Sequence, residues 1–263
     1  MRSTLLLLIL SLGLLASPLL HSRDQARAAR ATAAGEMPAW EYSGEHGAEH
    51  WGELSPAYAE CTKGGEQSPV DLRPSRYSRL PALRLRYRSA PLHLLNDGRA
   101  LRLSYPPGSQ LAIEQSRFEL REVTFHTPAE HTVEGRRAAM EIQLLHVDGA
   151  GQRVVVAISV VAGTRRNAML ERIADYLPDA ARTGEWRYRH VGINPTFLLP
   201  SDRRYYRYIG SLTQPPCSEQ VSWLVLQQPL EVSAGLIERF HRLTGDSNRP
   251  LQPLAGREVT AGR

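Results

Sequence analysis

Strict alternation of apolar and polar residues marks the middle of the chain. Leu83-Arg84-Leu85-Arg86-Tyr87 alternates, and Leu101-Arg102-Leu103-Ser104-Tyr105 repeats the pattern, as expected of strands with one buried face. Residues 91–95 run into Asn96-Asp97-Gly98, a turn signal. Residues 118–125, 139–147 and 153–161 read as three longer strands, the last two joined by Asp148-Gly149-Ala150-Gly151. Residues 221–226 form another. Helical spacing is confined to two short stretches. In 167–176 the apolar positions are Met169, Ile173 and Tyr176; in 233–243 they are Leu236, Ile237, Phe240 and Leu243, with Ser233 as the cap. The pattern predicts a mostly β domain with a few short helices.

The N-terminus follows a different rule. Met1-Arg2 precedes an almost wholly apolar run from Thr4 to Leu20, which reads as a secretory signal. Small-x-small triplets at Ala26-Arg27-Ala28, Ala29-Arg30-Ala31 and Ala31-Thr32-Ala33 leave the cleavage point open. Residues 1–33 are therefore expected to be signal and leader, 21–36 to read as a small, polar linker, and 37–260 to form one domain. The rival is an uncleaved anchor, for which the apolar run is at the short limit. Contact with a membrane is expected only in that case. The reading is an exported protein, periplasmic or secreted.

Composition changes this picture little. Of 263 residues, 42% are apolar and 22% charged, ordinary for a globular chain. The net charge of +5 falls to +2 if the cut follows Ala33, because four arginines and one aspartate leave with the leader. Every basic residue but Lys63 is arginine, which fits either biased base composition or anion binding. No basic run interleaved with aromatics points to nucleic acid. The two cysteines, Cys61 and Cys217, are expected to be joined in an oxidising compartment and are too few for a structural zinc site.

Six segments occur in a telling order: Trp40-Glu41-Tyr42-Ser43-Gly44 with His50-Trp51; Gln67-Ser68-Pro69-Val70-Asp71-Leu72; Leu95-Asn96-Asp97-Gly98; Phe125-His126-Thr127-Pro128-Ala129-Glu130-His131-Thr132-Val133; Gly210 to Glu219 with Trp223; and Asn248-Arg249-Pro250-Leu251-Gln252-Pro253. Together, over residues 40–253, the chain resembles the α-carbonic anhydrases. The short link from His126 to Glu130 looks like that of their bacterial branch. The resemblance implies a large, twisted, mainly antiparallel central sheet with a conical cavity. It implies a Cys61–Cys217 disulfide, in agreement with the cysteine count. Ser68-Pro69 and Pro215-Pro216 become candidate cis bonds.

The family's activity needs zinc with three protein ligands and one open position. The metal lowers the pKa of its bound water to about 7, so that hydroxide can attack carbon dioxide. Two ligand histidines lie two apart on one strand, facing the same way, and the third lies on the neighbouring strand. The resemblance places these positions on Thr124, His126 and Gln143, of which only His126 is a competent ligand. His146 is three residues from Gln143 and is expected to face the other side. His131 is structural by resemblance, and His93 has no partner at ligand spacing. Arg99 occupies the place of the family's proton-shuttle histidine, and arginine stays protonated near pH 7. The supporting residues persist: Thr213 for the hydroxide-binding threonine, Glu130 for the carboxylate that orients it, and Glu141 for the carboxylate behind the third ligand.

The resulting expectation is an exported α-carbonic anhydrase-like protein, holding no cofactor and acting as a binding or structural module for a small polar ligand or a protein. Two alternatives stay open. One is an active or weakly active carbonic anhydrase with a rearranged metal site. The other is a small-anion binder using Arg99 and Arg102. Trp40, Tyr42, Trp51, Trp223 and the run Tyr205-Tyr206-Arg207-Tyr208 read as core, cavity wall or sheet packing.

Overall fold

The computed structural model describes residues 38–178 and 182–263. The leader and the linker expected at 21–36 lie outside the described residues, as does Met37. One unit spans Ala39–Arg263.

Among the described residues the main sheet has thirteen strands. In chain order they are β1 (Arg76–Ser78), β2 (Arg84–Arg86), β3 (Ala90–Asn96), β4 (Leu101–Ser104), β5 (Gln110–Ile113), β6 (Ser116–His126) and β7 (Met140–Val147). β8 (Arg153–Ala162), β9 (Gly184–Ile193), β10 (Tyr205–Gly210), β11 (Val221–Leu226), β12 (Leu230–Val232) and β13 (Thr260–Gly262) follow. The spatial order is β9-β3-β4-β6-β7-β8-β11-β10-β13-β1, with β12 against β8 and the β2–β5 pair against β6. Most pairs are antiparallel; β8 runs parallel to β11 and β12, and β13 parallel to β1.

Period-two patterning decides which face each side chain joins. On β7, Met140, Ile142 and Leu144 enter the larger core, while Glu141, Gln143 and Leu145 face the other way. That larger core is closed by the helices Ala168–Ala174 and Ala234–Thr244, through Leu170, Ile173, Leu236, Ile237, Phe240 and Leu243. Ser233 caps the second helix by accepting a hydrogen bond from the Leu236 N–H at 3.3 Å. On the opposite face, Val155, Ala157, Tyr208, Val221 and Trp223 form a smaller core. Trp40, Trp51 and Tyr58 pack around the Cys61–Cys217 disulfide. The Ser68-Pro69, Thr127-Pro128 and Pro215-Pro216 bonds are cis.

Candidate functional site

The smaller-core face of β6, β7 and β8 carries a cleft of about 130 Å3, lined among others by Thr124, His126, Gln143, Thr213, Gln214 and Trp223. Antiparallel register puts Gln143 directly opposite Thr124, and Glu141 opposite His126. The three positions assigned to metal ligands thus share one face, all buried.

Hydrogen bonding fixes how each side chain is turned. His126 Nδ1 lies 2.6 Å from the Ser247 carbonyl. A carbonyl only accepts, so Nδ1 carries the proton. Gln143 Nε2 lies 2.7 Å from Glu130 and 2.9 Å from Glu141. Carboxylates accept, so both amide N–H groups are spent there and the amide oxygen is the atom left over. Thr124 donates to Glu122 at 3.1 Å.

The supporting residues are present but differently paired. Glu130 accepts the Gln143 amide and the Arg249 backbone N–H at 3.1 Å. Among the described residues it receives no hydrogen bond from Thr213, the partner that the resemblance implies. The physical reason is donor count. A metal-bound imidazole has one N–H to give, whereas a primary amide has two. Gln143 therefore reaches Glu130 as well as Glu141. Thr213 still lines the cleft.

Glu141 is fully buried. It also accepts the His131 backbone N–H at 3.0 Å and the His131 ring at 2.9 Å. Burial works against its ionisation, but the adjoining His131 and the Gln143 amide outweigh it and hold the carboxyl down to about 2. His131 Nε2 shares a hydrogen bond with the Tyr208 hydroxyl at 2.6 Å, which lies 2.9 Å from Ser68 Oγ. Gly210 makes that chain possible: a Cβ there would lie 2.1 Å from Ser68 Oγ. His131 is thus an internal strut, and Tyr208 belongs to the support of the site. Nothing local in the sequence marks it.

The remaining histidines are engaged elsewhere. Unbroken alternation along β7 puts His146, three residues from Gln143, on the larger-core side as expected, where its Nε2 meets the Tyr87 hydroxyl at 2.8 Å. His93 pairs with Glu185 at 2.7 Å. At the cleft rim, Arg102 donates to Asp97 at 2.8 Å and to Gln214 at 3.0 Å, while Arg99 lies over the Trp40 ring, 4.8 Å from its centroid. Glu122, the third alternate residue on β6, also lines the cleft. The i, i+2 spacing from Thr124 was the signal that could have found it.

The three assigned positions present one imidazole nitrogen, one amide oxygen and one hydroxyl to the cleft, beside the Glu122 carboxylate that accepts from Thr124. Among the described residues no three His, Cys, Asp or Glu side chains converge. This set does not fit a catalytic zinc, which takes three histidines or a mixture of histidine with carboxylate or thiolate.

Residues 46–263 match the family of eukaryotic-type carbonic anhydrases. The chain is 38% identical over 225 residues to a carbonic anhydrase of Nostoc sp. strain PCC 7120, covering 84% of each protein. The solved complex of the α-carbonic anhydrase from Thermovibrio ammonificans with sulfanilamide has a TM-score of 0.80 at 38% identity, covering 84% of this chain and 98% of that one. Dioscorin complexed with ascorbate has a TM-score of 0.79 at 30% identity, covering 86% and 98%. The chain belongs to the α-carbonic anhydrase family.

Proposed function

We propose that this chain is an exported, non-catalytic member of its family, a binding module whose cleft receives a small polar ligand in place of zinc and hydroxide. The observation that carries this reading is the saturation of the Gln143 amide by Glu130 and Glu141. In a zinc site the residue at this position gives the metal a strong donor. Here it offers only a neutral amide oxygen, beside one imidazole and one hydroxyl. Three such donors hold zinc too weakly for hydroxide to form at neutral pH. The disulfide and the apolar leader support export. The small-anion alternative has less support, because the Arg102 guanidinium is already engaged with Asp97 and Gln214.

The test is metal analysis of protein purified without chelator, together with a carbon dioxide hydration assay. Zinc far below one per chain and hydration at the buffer rate are expected. Zinc near one per chain with hydration well above buffer would overturn the reading in favour of a rearranged, active metal site.

A further inference from the structure

Away from the cleft, β2, β5 and β6 form an antiparallel three-stranded extension whose outer face carries a patterned charge. Leu83 and Tyr87 are buried beneath it, and so are Leu111, Phe118 and Leu120. Alternation then sends Arg84, Arg86 and Arg88 outward from one side strand, and Arg117 and Arg121 outward from the other; all five are exposed. Register aligns Arg84 with Ala112 and Arg117, and Arg86 with Gln110 and Glu119. The third row is made by Arg88 beside Gly108, where a Cβ would lie 3.8 Å from the arginine Cδ and Nη1. The middle column is therefore Ala112, Gln110 and Gly108, short or neutral side chains between two arginine walls. Arg84, Arg86, Gln110, Ala112 and Arg117 line one hollow, together with the carboxylate-bearing Glu114 of the turn between β5 and β6. It shares β6 with the cleft but no lining residue.

Several arginines elsewhere on the surface are held by carboxylates: Arg73 by Asp71 at 2.5 Å, Arg166 by Glu171 at 2.8 Å, Arg204 by Asp202 at 2.6 Å. Among the described residues none of the five channel arginines is in an ion pair. The one acid in the three rows, Glu119, turns its oxygens to the Gly108 N–H at 2.9 Å and to Gln110 at 2.6 Å. Five guanidinium groups thus face solvent with their donors unspent.

We infer that this channel binds a linear acidic polysaccharide, a chain carrying a carboxylate or sulfate on successive sugars. The walls stand two strand spacings apart, about 9.5 Å, and same-side arginines repeat about every 6.8 Å along a strand. A single extended chain laid along β5 can therefore meet guanidinium forks from both sides, each fork matching a carboxylate or sulfate bidentately. The rows contain no aromatic ring on which a base could stack, which disfavours single-stranded nucleic acid. They contain no large apolar side chain to enter a bilayer, which disfavours a membrane surface.

Fluorescence anisotropy of a labelled oligoguluronate and a labelled heparin oligosaccharide against the purified chain tests this. Binding of at least one is expected at about 50 mM salt, weakening about tenfold or more by about 300 mM. Arg86→Glu/Arg117→Glu should weaken it by about tenfold or more, and the milder Arg84→Gln/Arg86→Gln/Arg117→Gln should act in the same direction. Arg182→Glu/Arg189→Glu, the same charge change at exposed positions outside the channel, should cost less than about twofold. Thermal melts check that each variant remains folded. Failure of both oligosaccharides to bind at low salt would sink the inference, as would an equal loss in the control variant. Tighter binding of single-stranded DNA, polyglutamate or phosphatidylglycerol vesicles would overturn the assignment of the partner.

Discussion

The side-chain amide of Gln143 lies 2.7 Å from the carboxylate of Glu130, 13 residues before it in the chain. Its second N–H reaches Glu141 at 2.9 Å. One substituted residue thus bridges two buried carboxylates and separates Glu130 from Thr213.

That bridge yields a test of the scaffold, in which histidine is restored at the two other positions that the resemblance assigns to metal ligands. Thr124 and Gln143 face each other across β6 and β7, beside a His126 whose Nδ1–H is already committed to Ser247. Thr124→His/Gln143→His should place three imidazoles on one face and free Glu130 for Thr213. Zinc is expected to rise to about one per chain, with measurable carbon dioxide hydration, whereas Gln143→His alone should gain neither. Plasma mass spectrometry and stopped-flow hydration check this; a double variant that stays metal-free would show that the backbone around the site no longer accepts the geometry.

The bridge also bears on stability. Gln143→Leu would leave one oxygen of each buried carboxylate without its amide donor. Hydrogen bonds to charged groups are worth about 1.5–3 kcal/mol, so a loss of about 3 kcal/mol is expected in urea unfolding at neutral pH. Wild-type stability in the leucine variant would contradict the pairing.

Acid should destabilise the fold in two windows. Burial holds the His146 ring down to about 4 from an ordinary 6.5. The unfolded chain therefore takes up a proton first, and stability falls as pH drops from 6.5 towards 4. Glu141 is held down to about 2 from 4.5. Its contribution is complete above 4.5 and is lost as pH falls towards 2. Urea midpoints measured across pH 7 to 2 should show both declines, with Glu141→Gln flattening only the lower one.

The disulfide closes a long loop, since Cys61 and Cys217 are 156 residues apart. Chain entropy sets its contribution at about 5 kcal/mol in the ideal limit, with about 2–5 kcal/mol typical of native bridges. Cys61→Ala/Cys217→Ala should lower the unfolding free energy within that range. An unchanged urea midpoint after reduction would contradict it.

Several elements were legible in the chain because one face of each is buried. The strands at 118–125, 139–147 and 153–161 appear as Ser116–His126, Met140–Val147 and Arg153–Ala162, and Val221–Leu226 matches at both ends. Both helices appear within a residue or two of their spacing signal. Gly184–Ile193 is not among the strands read from the sequence, although Glu185-Trp186-Arg187-Tyr188-Arg189 alternates; it is an outer strand of the sheet, mostly exposed over its first seven residues, with Trp186 and Tyr188 only partly buried. The Gln110–Ile113 strand, which forms the floor of the arginine channel, is too short for alternation to mark it.

What the sequence by itself determined is which residues stand at the three positions that the resemblance assigns to metal ligands. Period-two geometry requires Thr124 and His126 to share a face, and the neighbouring strand offers Gln143 rather than histidine. Where the spare donors of Gln143 go is a different kind of fact. It depends on the register that sets Glu141 opposite His126, and on the Arg249 backbone N–H holding the far oxygen of Glu130. Those contacts join residues as far apart as 119 positions in the chain. Local patterning carries no information about pairings at that range, so only the tertiary structure could show that Glu130 takes the Gln143 amide as its side-chain partner.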